Sequence, residues 1–315
     1  MIITVPRILR RSQIAFMFID GGDNTDPIPT SSSVTMLAES TGSVTVELKQ
    51  IPNQPIKFMA DSTQESRTED AIIAWTWKTF IEQNGTNPYI LLRMPMTKAA
   101  VRGMDATEQL LKEEGFPVPN NFVIAGLSKD YFWDDLQVKT GGSYLRRIPN
   151  TGHNIQGYQG SLQSFYLSIA DKQILPSFKW TRSINETHGQ ILAIIDFSSG
   201  QPKPINATVY QARTVNGTKR DFRQAKIDPT SGQIIQNPIV WLNMPVTIEA
   251  QTNTSITYSY TAPMPPSSYW DGIFIQVTFV GPENTTLDLT TETLILPNTF
   301  PADPCTGEGC FGTMV

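Results

Sequence analysis

Two residues in this chain could carry acyl-transfer chemistry, Ser128 and His153. Gly126-Leu127-Ser128 follows the apolar run Phe122 to Ala125. A buried strand that turns sharply at a serine can lift the hydroxyl clear of a sheet edge. The amide of Lys129 would then point at a developing oxyanion. A second donor would come from the loop after an earlier strand, where Gly21 and Gly22 stand in "FIDGGDN". An ordinary Gly-x-Ser turn ending a strand fits the same residues, and Asp130 stands where a nucleophile turn usually has a second glycine. His153 closes "SYLRRIPNTGH", which predicts a strand over Ser143 to Ile148 and a turn before the histidine. That is where a hydrolase general base sits, and it is equally a place for an exposed turn histidine. His188, near Asn185 at an expected hairpin, reads as surface.

The acid that should orient the imidazole is the difficulty. Asp134 and Asp135 lie between serine and histidine in the right order, in "YFWDDL", but read better as flanking a helix. Only residues 129 to 152 separate the two candidates. Each βαβ unit takes ~30 residues or more, so the interval is short by on the order of a hundred residues for a complete doubly wound sheet.

The elements around these residues predict two regions. Residues 1–175 alternate strands and helices, as in an α/β layer architecture. "QIAFMFIDGG", "GSVTVELKQI" and "NFVIAG" read as strands. Ser66 with Glu69 has capping-box spacing before a helix through Ile73, Trp77, Phe80 and Ile81. Thr97 to Gly115 reads as a second helix with Ala100, Met104 and Leu111 on one face. Ile155 to Ile174 reads as a connecting helix. Residues 176–300 show short strands between Gly, Pro, Asn and Ser, which predicts a β-sandwich of roughly seven strands. Residues 301–315 form a tail whose Cys305 and Cys310 could close a local disulfide or remain free thiols.

Composition narrows the partners. The 315 residues carry a net charge of -5 and no long basic run, which argues against nucleic acid. No apolar run reaches the ~20 residues of a membrane span. Two histidines and one terminal cysteine pair make no metal-ligand cluster, and isolated Gly-Gly pairs make no phosphate loop, so no cofactor is expected. Sequons at Asn84, Asn185, Asn206, Asn216, Asn253 and Asn284 point to a secreted glycoprotein. No signal peptide is recognisable at the N-terminus, which suggests that the start is incomplete.

"RMPMTKAAVRGMDA", "FVIAGLSK", "YLRRIPNTGH" and "RDFR" together resemble the PhoPQ-activated pathogenicity-related family; "LKQIPNQPIKF", "EDAIIAWTW" and "GIFIQVTF" fit as well. The resemblance covers nearly the whole chain. It implies a secreted α/β-hydrolase-like domain followed by a small β domain. Ser128 matches the family's elbow serine and His153 its late histidine. After Lys129 the chain jumps to a segment that in the family lies just before the final strand. The family's acid-bearing "GDEFF"-type segment has no match. The resemblance therefore implies an internally deleted chain, either a secreted signalling or binding protein without catalysis, a serine hydrolase, or a truncated isoform without function of its own. Its partner would be a cell-surface receptor or a small-molecule or peptide substrate.

Overall fold

The structure is a computed structural model that describes residues 1–28, 33–126, 144–152, 157–217, 219–228 and 230–301. It is mixed α/β and divides into two compact units, Met1–Lys129 and Asp130–Val315.

The first unit is built on a four-stranded sheet in the order β1(Ile2–Thr4), β3(Val44–Leu48), β2(Ile14–Ile19), β4(Asn121–Gly126). β2 runs parallel to both neighbours, while the short β1 is antiparallel to β3. β2 and β3 are apolar without interruption, except for Thr45 and Glu47, because both faces are covered. Helix α1(Ser33–Thr41) lies against β3, where Thr45 donates to the Val34 carbonyl at 3.0 Å. Helix α3(Arg93–Glu113) covers the other face, packing Ala100 on Met17, Val46 and Leu48, and Leu111 on Ala15 and Val44. Gly103 brings α3 close: a Cβ there would stand 3.3 Å from side-chain carbons of both Leu48 and Met17. α3 stops at Gly115, whose φ of +75° closes the turn as Phe116 N–H reaches back to the Leu111 carbonyl at 2.8 Å.

Two local expectations change. α3 starts at Arg93, and Thr97 lies inside it with its hydroxyl on the Arg93 carbonyl. No capping box forms at Ser66. Helix α2(Glu69–Glu82) starts after Thr68, and the Gln54 side chain, brought in by the preceding loop, accepts the Glu69 amide at 2.7 Å. α2 buries Ile72 and Thr76, while Trp77 and Ile81, two of the residues whose spacing marked the helix, are exposed.

The second unit contains two sheets facing one another across a shared core. One has the order β10(Leu242–Met244), β7(Pro204–Arg213), β13(Asp271–Val280), β14(Thr286–Thr290), with β15(Leu294–Leu296) also on β13. The other has the order β11(Thr247–Gln251), β12(Ser255–Pro263), β6(His188–Asp196), β5(Ser177–Ile184). Ile191, Ala193 and Ile195 from β6 meet Ile273, Ile275, Val277 and Phe279 from β13 at every second residue, as period-two alternation requires. A separate hairpin joins β8(Ala225–Ile227) to β9(Ile234–Gln236). Helix α4(Gln159–Ala170) packs on β14, so it groups with the sandwich rather than with the first ~175 residues. Ser164, Tyr166 and Leu167 are its fully buried residues.

Candidate functional site

β4 ends at Gly126, two positions before Ser128 in the sequence. It runs parallel beside β2 with Ile19 opposite Gly126, so the two strands end side by side, at the strand ends where ligands of α/β sheets usually bind. Ser128 and Lys129 themselves lie outside the described residues, as do His153, Asp130, Asp134, Asp135, Cys305 and Cys310.

The loop after β2 is described, and the Gly21 amide in it has a partner. Gly21 N–H donates to Asp20 Oδ1 at 2.9 Å, so an oxyanion would have to displace a carboxylate there. Gly22 has a φ of +115° and sits under Asp26, whose Oδ2 would be 3.0 Å from a Cβ at this position. Only glycine suits both demands. Asp26 Oδ2 in turn accepts the Asp23 amide at 2.7 Å, and Asp23 accepts both the amide and the hydroxyl of Thr25. The bond from the Thr25 hydroxyl holds the Asp23 carboxyl below its ordinary value.

Sequence reading missed the charged group under this loop. Lys49 Nζ lies 2.6 Å from Asp20 Oδ2 and 3.9 Å from Glu47 Oε1. Burial works to lower the Lys49 pKa, but the Asp20 hydrogen bond and the charges of Asp20, Glu47 and Asp26 outweigh it and hold it above its ordinary value. Glu47 is buried, and its Oε2 has no hydrogen-bond partner. The signal was available: a glutamate in the otherwise covered strand "VTVEL" must find a cation or stay costly. The surroundings of Gly21 are thus acidic, with Lys49 the positive charge among them. That field disfavours a developing oxyanion more than it helps one.

The histidine-bearing motif sits in the second unit. Residues 144–148, expected as a strand, form no ladder. They are pinned along β14 instead: Thr290 N–H donates to the Leu145 carbonyl at 2.8 Å, and Arg147 N–H to Thr290 Oγ1 at 2.9 Å. Arg146 lies across the sheet face onto Gln276 (2.6 Å) and Asp288 (3.1 Å). Burial pulls the Arg146 guanidinium below its ordinary pKa, although Asp288 opposes it. Asn150 then mimics a strand partner for Trp241, giving its Nδ2–H to the Trp241 carbonyl (2.9 Å) and accepting the Trp241 amide (2.8 Å). Trp241 and Phe222 of "RDFR" lie over Gly272, where a Cβ would come within 2.9 Å of the Trp241 ring. Asp221 accepts three hydrogen bonds from Arg223 in the same turn. The quoted motifs from Tyr144 to Gly152 and at 220–223 therefore have structural tasks on the sandwich.

Gly126 belongs to one unit and Gly152 to the other, so the described residues next to Ser128 and His153 are not gathered within either unit. All six sequon asparagines are exposed: Asn84 in a turn, Asn185, Asn216 and Asn253 between strands, Asn284 at the end of a short 3-10 helix, and Asn206 on β7. Among the described residues no cluster of three acidic, histidine or cysteine side chains could hold a metal, and no helix is long and apolar enough to cross a membrane. A cleft of about 210 Å³ beside the end of α4 is lined by Ile174, Leu175, Pro176, Val280 and Leu287; the Ser168 hydroxyl there donates to the Ser164 carbonyl.

Comparison with known proteins adds three findings. "Autocrine proliferation repressor protein A" of Dictyostelium discoideum is 26% identical over 409 residues, covering 94% of this chain and 80% of the relative. That alignment is longer than the 315 residues of this chain, so part of the relative has no counterpart here. Among solved structures, the ApaA protein of Bordetella pertussis matches 40% of this chain and all of its own at 10% identity, with a TM-score of 0.19. The family model of the PhoPQ-activated pathogenicity-related protein matches residues 1–130 and again 128–223, two segments that meet at the candidate serine. With well over half its residues matched, and with every quoted motif except "GIFIQVTF" among them, the chain belongs to the PhoPQ-activated pathogenicity-related protein family.

Proposed function

We propose that this chain is a secreted, glycosylated growth-repressor-like protein that acts by binding, built as an incomplete α/β-hydrolase-like domain followed by a β-sandwich-like domain. One observation carries the loss of catalysis. The family match breaks at residues 128–130, and the relative's alignment exceeds the length of this chain. On this reading the missing stretch held the triad acid, and losing the acid alone can lower turnover by ~10⁴ even where geometry survives. The occupied Gly21 amide and the carboxylates around it support the same conclusion. The relative's name supports a proliferation-repressing role, and the six exposed sequons support secretion.

A serine-hydrolase reading, with Ser128 as nucleophile, His153 as base and the amides of Lys129, Gly21 and Gly22 on the oxyanion, is favoured by β4 delivering Gly126 to the end of a parallel strand beside β2. A third reading, a truncated isoform without function of its own, follows from the same break in the family match. Purified protein separates the three. The binding reading expects growth arrest of target cells that survives Ser128→Ala, with no fluorophosphonate labelling. Labelling of Ser128, or arrest lost in a folded Ser128→Ala variant, would sink it. A chain with no cooperative unfolding and no effect on growth would leave the truncated-isoform reading standing.

A further inference from the structure

We infer that the free edge of β4 is a self-association surface, on which two copies of this chain pair their β4 strands antiparallel about a two-fold axis. Among the described residues β4 pairs with β2 alone and ends the sheet. Its sequence, Asn-Phe-Val-Ile-Ala-Gly, has no charge, no proline and no bulge. Proteins normally blunt an edge with one of those devices, with shortness, or with a cover.

Among the described residues the edges at β1, β10, β11, β5 and β14 are blunted. β1 and β10 have three residues each. β11 carries Glu249 and a register shift between Ile248 and Ala250. β5 carries Lys179 and Arg182. β14 is bonded by residues 145 and 147. β4 alone among these is apolar, six residues long and bare. Ile124, in mid-strand, is 46% exposed, whereas Met17 opposite it on β2 is fully buried.

The occupant follows from the same place in the chain. The family match breaks within a few residues of Gly126, and the relative's longer alignment supplies residues that this chain lacks. This inference rests on the reading of an internal deletion. Every copy then carries the same uncovered edge, and antiparallel pairing of identical strands is self-complementary under two-fold symmetry. A six-residue pairing buries less than the ~1,200 Å² of a standard interface, so association is weak and concentration-dependent.

Sedimentation of the full chain over a hundredfold concentration range tests it. The expected result is a rise from monomer to dimer mass, weakened about tenfold or more by Ile124→Lys and unchanged by Val101→Lys, an equally exposed valine on α3. Hydrogen exchange of the wild-type β4 amides should slow as dimer forms, a readout that stands even if Ile124→Lys fails to fold. A monomer at every concentration, open-ended aggregates, or a dimer whose β4 amides exchange as in the monomer would overturn the inference. Grafting the relative's intervening segment between Lys129 and Asp130 separates the two claims. A stable graft beside a monomeric parent defeats only the dimer, and a graft that cannot fold defeats the deletion reading.

Discussion

At the scale of single residues, the charged groups of the first unit hold loops in place. Asp61 accepts Arg67 Nε at 3.0 Å and Nη2 at 2.7 Å, with Thr63 donating twice more. The Arg67 bond keeps the Asp61 carboxyl below its ordinary value near 3.8, against the opposing pull of burial. A carboxyl depressed in the folded state stabilises above its unfolded pKa, and the benefit disappears as pH falls through the folded value. The wild type should therefore lose melting temperature on going from about pH 6 to about pH 3. Asp61→Asn should be less stable at the higher pH and lose less on acidification. Parallel melts of the two proteins check this; equal slopes would remove Asp61 from the acid response. The sign reverses for Lys49, whose ammonium is held charged by Asp20 in the loop where an oxyanion was expected: its raised pKa stabilises below the unfolded value, and the benefit is lost as pH rises through the folded one.

At the scale of elements, α3 buries Ala100, Gly103, Thr107 and Leu111, whereas α2 buries only Ile72 and Thr76. Gly103 lets α3 approach β2 and β3 closely, and the atoms nearest a new Cβ are the flexible ends of Leu48 and Met17. Gly103→Ala should be nearly neutral, since its helix propensity gain of ~1 kcal/mol offsets a small repacking. Gly103→Leu should cost about 1–3 kcal/mol by overpacking, read as a shifted denaturation midpoint. α2 differs. It carries Ile72, Ile73, Trp75, Trp77, Phe80 and Ile81 yet buries only Ile72 and Thr76. A helix apolar on most sides normally lies inside a larger core. With the bare β4, it gives the first unit two uncovered apolar features.

At the scale of the whole molecule, the units differ in completeness. The sandwich has one continuous core fed by both sheets, α4 packed on β14, and residues 144–152 bonded to β14 and Trp241. A fragment of residues 144–301 should therefore unfold cooperatively on its own, with Trp270 buried before and exposed after the transition. Residues 1–126 expressed alone should bind a hydrophobic dye and melt broadly. A broad melt of the 144–301 fragment would mean that the sandwich leans on the first unit.

How much of this the chain's own residues announced depends on the range of the forces involved. Strands β2, β3, β4, β6, β12 and β13 and the body of α3 were legible, because burial writes continuous apolar runs or a period of two into strands and a period of 3.6 into helices. The resemblance to the family was legible in short motifs. The first turn of α2, the inward face of that helix, the Asp20–Lys49 pair under Gly21 and the attachment of residues 144–152 to β14 were not. Each depends on a partner many residues away: Gln54 for Glu69, Lys49 for Asp20, Thr290 for Leu145, Trp241 for Asn150. Local pattern sets what an element is. Only the packed chain decides which donor meets which acceptor, because that pairing is chosen by distance in space, which spacing along the sequence does not encode.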